Sequence, residues 1–226
     1  MQRALLLGHR GARAVKSIPE NTIASFDRCL ADGCDGFEFD VRLTADATAV
    51  VCHDPRFGKL EIARAAARDL AELASLEEVL TRYEERAFLD IELKAPGLEK
   101  IIAELLGKYP PRRGFVVSSF LPEALEAVRA EGSSTPLGLI CETREELRQW
   151  NRLELEYVMP HSRLLDLRLV GKLKRAGKKI FVWTVNTPAA MRRFAELGVD
   201  GIISDNPKLL TRTLRDLPSF GEGDSK

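Results

Sequence analysis

Glu38 and Asp40 stand two residues apart in the run from Gly36 to Asp54, GFEFDVRLTADATAVVCHD, where they alternate with Phe37, Phe39 and Val41. Successive side chains of a strand point to opposite faces, so the acids share one face and the apolar residues take the other. Acids turned into an enclosed space need a cation, because an unpaired buried charge is costly. Only residues 43–49 separate this strand from the apolar run Val50 to Cys52. A parallel partner needs a crossover of about a dozen residues or more. Residues 50–53 are therefore expected to fold back antiparallel, as a hairpin arm that carries His53 close to Glu38.

A second inverted strand enlarges the set. In residues 87–93, Asp90 and Glu92, continued by Lys94, alternate with Leu89, Ile91 and Leu93. Glu38, Asp40 and Glu92 together suit one hard divalent cation, Mg²⁺ or Ca²⁺, which prefers oxygen ligands and keeps sites for water or phosphate. Zinc would recruit more histidine. The competing reading is a structural ion cluster of the same acids with Arg10 and Lys94. Charge favours an anionic diester as the guest: three carboxylates against a divalent ion, Arg10 and Lys94 leave about one positive charge. His9 and His53 could divide the proton work near neutral pH, one deprotonating the attacking hydroxyl and the other protonating the departing alkoxide.

Such groups come from distant parts of the chain, so a scaffold must gather several strand ends. Apolar runs at residues 4–8, 36–41, 87–93, 115–118, 137–141, 157–160, 179–185 and 201–204 read as strands. Helical spacing follows each, near residues 23–30, 69–83, 99–106, 123–130, 144–151, 165–176, 189–197 and 209–214. Residues 55–67 are basic and irregular. Eight strands each followed by a helix, with no G-x-G-x-x-G turn, predict an α/β fold of the closed (β/α)₈ TIM barrel type rather than an open sheet. The active site of such a barrel lies at the carboxyl ends of its strands, where His9, Glu38, Asp40, Glu92 and Lys94 all fall.

The length of 226 residues fits one barrel, expected over residues 1–217, with a disordered tail at 218–226. Lysine and arginine number 34 and aspartate and glutamate 34, so no global field attracts nucleic acid or an anionic membrane. Cys29, Cys34, Cys52 and Cys141 form no C-x-x-C pair and read as free thiols of a reducing compartment. The apolar run 4–7 is cut short by His9 and Arg10, which argues against a signal peptide or membrane span. A cytoplasmic protein without stable membrane insertion is expected. The oligomeric state is not legible.

His9-Arg10-Gly11, Pro19-Glu20-Asn21-Thr22, Glu38-x-Asp40-Val41, Thr44-x-Asp46, Val51-x-His53-Asp54, Glu92-x-Lys94, Trp183-Thr184-Val185-Asn186 and Ser204-Asp205-Asn206-Pro207 recur in this order along nearly the whole chain. Together they resemble the glycerophosphodiester phosphodiesterase family. The resemblance implies His9 and His53 as the acid/base pair, Glu38, Asp40 and Glu92 as ligands of one Mg²⁺ or Ca²⁺, and Arg10 and Lys94 as phosphate contacts. It also implies Trp183 beside the glycerol part of a small glycerophosphodiester substrate, split to glycerol 3-phosphate and an alcohol. One departure stands out: residues 55–74 are shorter than the cap insertion of relatives and lack its Leu-x-Arg-Thr-Thr-like start, which predicts a more open site. A lysophospholipase D-like activity on a bulkier lipid and a non-catalytic phosphometabolite-binding barrel are the alternatives. At the rim, Asn186 reads as a cap of the helix near Pro188, and Glu20 and Asn21 as capping or supporting residues. His161, Phe120, Glu142 and Ser118 sit at further strand ends.

Overall fold

The computed structural model describes residues 3–131 and 134–215; the tail expected at 218–226 lies outside them. Eight parallel strands form the barrel: β1 Leu5–Gly8, β2 Gly36–Leu43, β3 Phe88–Leu93, β4 Phe115–Ser119, β5 Leu137–Cys141, β6 Tyr157–Pro160, β7 Lys179–Val182 and β8 Gly201–Ser204. Leu7 of β1 is in register with Gly36 of β2 on one side and with Ile203 of β8 on the other, so the sheet closes on itself. Among the described residues, eight α-helices alternate with the strands: α1 Ile23–Ala31, α2 Leu76–Tyr83, α3 Glu99–Lys108, α4 Pro122–Ala130, α5 Arg144–Leu147, α6 Leu167–Arg175, α7 Pro188–Glu196 and α8 Pro207–Arg215. The closed (β/α)₈ barrel predicted above is the fold.

Burial follows the two-residue alternation. Phe37 and Phe39 point outward from β2 into the layer between strands and helices. There Phe26 of α1 stacks on Phe37 at 4.2 Å and Tyr83 of α2 meets Phe37 edge-on at 4.9 Å. Burying each such ring contributes about 1.5–3 kcal/mol. The barrel interior is apolar around much of its circumference, with Leu7, Val116, Ile140, Met159, Phe181 and Ile203. On β2 and β3, Glu38, Asp40, Asp90 and Glu92 are buried instead. Gly36 allows these two strands to pack at this spacing, since a Cβ there would collide with the Phe88 carbonyl.

The hairpin arm forms as Ala49–Val51, antiparallel to β2, with Val51 opposite Val41 and Ala49 opposite Leu43. Beyond it, Arg42 donates from Nε and Nη2 to the His53 carbonyl at 2.8 and 2.6 Å, which fixes the residue that the arm delivers. Three local expectations shift. Residues 55–67, read as irregular, include a small hairpin pairing Arg56–Phe57 with Leu60–Glu61. The helix expected from residue 69 begins at Leu76, because Ser75 caps it by accepting the Glu78 N–H at 3.1 Å. β7 stops at Val182, three residues short; Trp183 adds a single parallel bridge to His161, and its indole donates to the Met159 carbonyl at 2.8 Å.

Candidate active site

The loop after β1 is the most constrained part of the site. Arg10 and Asn21 both adopt the left-handed region, with φ of 49° and 58°, a conformation that costs energy for non-glycine residues and persists where neighbours enforce it. Here the Arg10 carbonyl accepts the Asn21 N–H at 3.1 Å, and the Arg10 N–H is turned to Glu38 Oε2 at 2.9 Å. Asn21 Nδ2 donates to Asp40 Oδ2 at 2.8 Å. Glu20, expected to support or cap, clamps two guanidinium groups, taking Arg10 Nη1 at 2.6 Å and Arg13 Nε at 2.7 Å.

Glu38, Asp40 and Glu92 converge, each presenting a carboxylate oxygen within 4.8 Å of the others. Asp40 is in register with Glu92 and Glu38 with Asp90, so neighbouring strands place the acids side by side. Lys94 Nζ lies 2.6 Å from Glu92 and 3.4 Å from Asp40, while Arg10 Nε is 3.2 Å from Asp40. Asp40 thus collects both cations: burial would raise its pKa, but the charges of Lys94 and Arg10 and the Asn21 bond bring it below the usual value. Glu38 and Glu92 go the other way. Burial, then the charges of Asp40 and Glu92, lift Glu38 well above the ordinary range. Burial and Asp40 lift Glu92 to about 8.

A divalent cation fits this set. Glu38 Oε1 is buried without a hydrogen-bond partner, and Asp40 Oδ1, though paired with Lys94 Nζ at 3.4 Å, accepts no hydrogen bond. Three carboxylates against two side-chain cations leave an excess negative charge that protons otherwise neutralise. Between the unfolded carboxyl value of about 4.5 and the folded value of about 8, the native state holds protons that the unfolded chain has lost. Metal-free protein is therefore expected to lose stability as pH rises through that window. A cation displaces the protons, so its stabilisation is larger at pH 8 than at pH 5.5. At about 100 times its dissociation constant the ion adds about 2.7 kcal/mol, or about 5–10 °C in Tm for a chain of this size. Scanning calorimetry with chelator, Mg²⁺ and Ca²⁺ at both pH values checks this; identical Tm values across all conditions would contradict it.

The two histidines are oriented by carboxylates. His9 Nδ1 is 2.7 Å from Asp205 Oδ1, and its Nε2 lies 3.8 Å from Glu38 Oε2. His53 Nδ1 is 2.7 Å from Asp54 Oδ1. A carboxylate only accepts, so each Nδ1 carries hydrogen and Nε2 is left for proton exchange. Burial lowers the His53 pKa, and the bond to Asp54 only partly offsets it. Asp205 is itself held by Asn186 Nδ2 at 2.6 Å and Arg13 Nη1 at 3.3 Å. Burial would lift its pKa, but the His9 bond holds it far below the carboxylate range. Asn186 is therefore a support of Asp205, and Thr187 caps α7 in its place by accepting from Ala190.

One cleft of about 290 Å³ joins these groups, lined by His9, Arg10, Glu38, His53, Glu92 and Lys94 together with Trp183, Phe120, Glu142 and Asp90. Of the residues singled out for chemistry, Asp40 alone is absent from the wall; it lies just behind, fully buried. Trp183 meets Phe120 edge-on at 5.5 Å. No described residue of 55–74 lines the cleft. His161 does not line it either: it packs edge-on against Trp183 at 5.1 Å, and its Nδ1 accepts the Arg163 N–H. The sequence reading passed over Asp205 as a partner of His9. The signal was available, since each follows the end of a strand and β1 and β8 are neighbours once the barrel closes.

A (β/α)₈ barrel that gathers three converging acids, two carboxylate-held histidines, an arginine and a lysine at its strand ends is an enzyme built to receive an anion. The chain belongs to the glycerophosphoryl diester phosphodiesterase family, whose model matches residues 9–108 and 100–209. A glycerophosphodiester phosphodiesterase of Caldanaerobacter subterraneus subsp. tengcongensis is 32% identical, over 94% of this chain and 98% of that protein. One of Bacillus subtilis is 26% identical over 92% of this chain and 85% of its own length. Among solved structures, a glycerophosphodiester phosphodiesterase of Thermotoga maritima superposes with a TM-score of 0.80 at 24% identity, covering 94% of this chain and 99% of that one. An Oleispira antarctica phosphodiesterase in complex with the product sn-glycerol-3-phosphate gives a TM-score of 0.82 at 23% identity, covering 94% and 97%.

Proposed function

We propose that this protein hydrolyses glycerophosphodiesters to glycerol 3-phosphate and an alcohol, with a divalent cation at Glu38, Asp40 and Glu92. The observation that carries the reading is the meeting of two Nδ1-anchored imidazoles, a carboxylate triad, Arg10 and Lys94 in one cleft. Family membership supports it, as does the glycerol 3-phosphate bound to the Oleispira phosphodiesterase.

Glu38, Asp40 and Glu92 would hold Mg²⁺ or Ca²⁺ through oxygen ligands, and the ion when bound would supply Lewis-acid chemistry and charge neutralisation. The chain's own residues do the rest. Arg10 and Lys94 add positive charge beside the diester and orient it. One imidazole takes the proton of the attacking hydroxyl at Nε2 as the new P–O bond forms. The other gives its proton to the departing alkoxide as the old P–O bond breaks. Trp183 and Phe120 form an apolar wall for the carbon skeleton of the substrate.

A panel of deacylated phospholipids, assayed with chelator and with Mg²⁺, Ca²⁺ and Mn²⁺, tests the proposal by product. Metal-dependent release of glycerol 3-phosphate and free alcohol is expected. Activity confined to acylated substrates would replace this reading with a lysophospholipase D-like one. Tight binding of glycerol 3-phosphate without turnover would make the protein a binding module. We place the reaction in the cytoplasm, on the support of four unbridged cysteines. No helix among the described residues is long and apolar enough to cross a membrane.

A further inference from the structure

One buried ionisable side chain has no part in the mechanism above. Asp90 lies on β3 with 0% of its surface exposed, yet it borders the cleft beside Ile140, Met159 and Ile203, which carry no hydrogen-bond donor in their side chains. Its Oδ1 accepts the hydroxyl of Ser118, also fully buried, at 2.6 Å. Its Oδ2 has no hydrogen-bond partner among the described residues. Buried polar atoms are rarely left in this state, and each such exception calls for an explanation.

The nearby cations are committed elsewhere: Arg10 to Glu20 and Asp40, Lys94 to Glu92 and Asp40. The acids that converge are Glu38, Asp40 and Glu92, and Asp90 is not among them, so it is not a fourth ligand of the same ion. The phosphate group of a diester carries only acceptor oxygens and no hydrogen to donate, so it cannot satisfy Oδ2. The partner that fits is a neutral donor carried by the guest in the cleft, and Asp90 is in register with Glu38, one of the proposed ligands of the ion. We propose that Asp90 Oδ2 accepts a hydrogen bond from one hydroxyl of the substrate's glycerol part, which makes Asp90 a specificity-determining residue. This rests on the glycerophosphodiester reading above.

A buried acceptor built for a hydroxyl discriminates against a guest that lacks it, because the acceptor is then desolvated and unpaired. The test uses glycerophosphoethanolamine and its two deoxy analogues, each missing one glycerol hydroxyl, with the wild type and the near-isosteric Asp90→Leu. For the wild type, kcat/KM is expected to fall about 10- to 100-fold on one of the analogues. In Asp90→Leu that preference should shrink below about threefold through loss on the parent substrate, with the cation still bound as read by calorimetry. Asp90→Ala serves should the leucine variant fail to fold. A preference that survives in a folded variant, no preference in the wild type, or loss of cation binding in the variant would each overturn the assignment. Should the wild type hydrolyse none of the diesters, the functional reading falls separately. The affinity of glycerol 3-phosphate against its deoxy analogues, measured without turnover, then still decides the role of Asp90.

Discussion

Glu38→Gln and Glu92→Gln are each expected to lower activity by at least about 10²-fold and to weaken cation binding in parallel, because each removes one unit of negative charge from a hard-cation site. The two variants differ in what else they disturb. Glu38 accepts the Arg10 N–H through one oxygen, a bond that a glutamine carbonyl reproduces, so the strained loop after β1 should keep its shape. Glu92 is bound by Lys94 at 2.6 Å, and a neutral amide there frees Lys94 to lean on Asp40. Both variants also relieve repulsion among acids whose pKa burial, and then neighbouring negative charge, lifts above the ordinary value. Metal-free Glu38→Gln should therefore melt no lower than the metal-free wild type at pH 8, while its Tm rise with Mg²⁺ or Ca²⁺ disappears. This signature separates a ligand from a structural ion-cluster member, whose loss lowers Tm with or without metal. Wild-type turnover by either variant after chelator washing would sink the ligand assignment.

Alternation and strand ends made much of this legible before any coordinates. The inverted pattern Phe37-Glu38-Phe39-Asp40-Val41 could only mean acids on the inside, and the barrel places them there with the aromatic rings stacked outside. The short link to Val50 forced an antiparallel arm, and His53 arrives at the cleft as that geometry required. What escaped reading depends on side chains meeting across the closed barrel. Asp205 and His9 are 196 residues apart, and nothing local in either segment marks them as partners. Asp90 looked like one more inward polar residue; only burial and a missing donor set it apart. The role of Asn186 was misjudged for a local reason, since Thr187, a slightly weaker cap, takes the position and leaves the amide free to hold Asp205. Backbone choices of this kind turn on a few tenths of a kilocalorie and do not show in composition.

His9→Ala and His53→Ala are each expected to cost about 10²-fold or more in kcat while sparing cation binding, since neither imidazole is among the converging acids. Their orienting carboxylates should not be equivalent. The Asp205 side chain is 22% exposed and braced by Arg13 and Asn186, whereas that of Asp54 is 75% exposed. A solvated partner holds its imidazole weakly, so Asp54→Asn should cost less than about fivefold. Asp205→Asn should cost about 10²-fold, because its amide can donate to Nδ1 and favour the tautomer that carries hydrogen on Nε2. A positioning role predicts a changed pH profile of kcat/KM in Asp205→Asn with Tm little moved; a purely structural role predicts the reverse. The division of labour follows from a change of leaving group. A p-nitrophenyl diester expels p-nitrophenolate, which departs without help from an acid, so the histidine that protonates the alkoxide becomes dispensable on it, while the histidine that deprotonates the attacking hydroxyl does not. One alanine variant should therefore regain most of its rate on the activated diester and the other should not. Equal losses for both variants on both substrates would mean that the imidazoles do not share the proton work in this way.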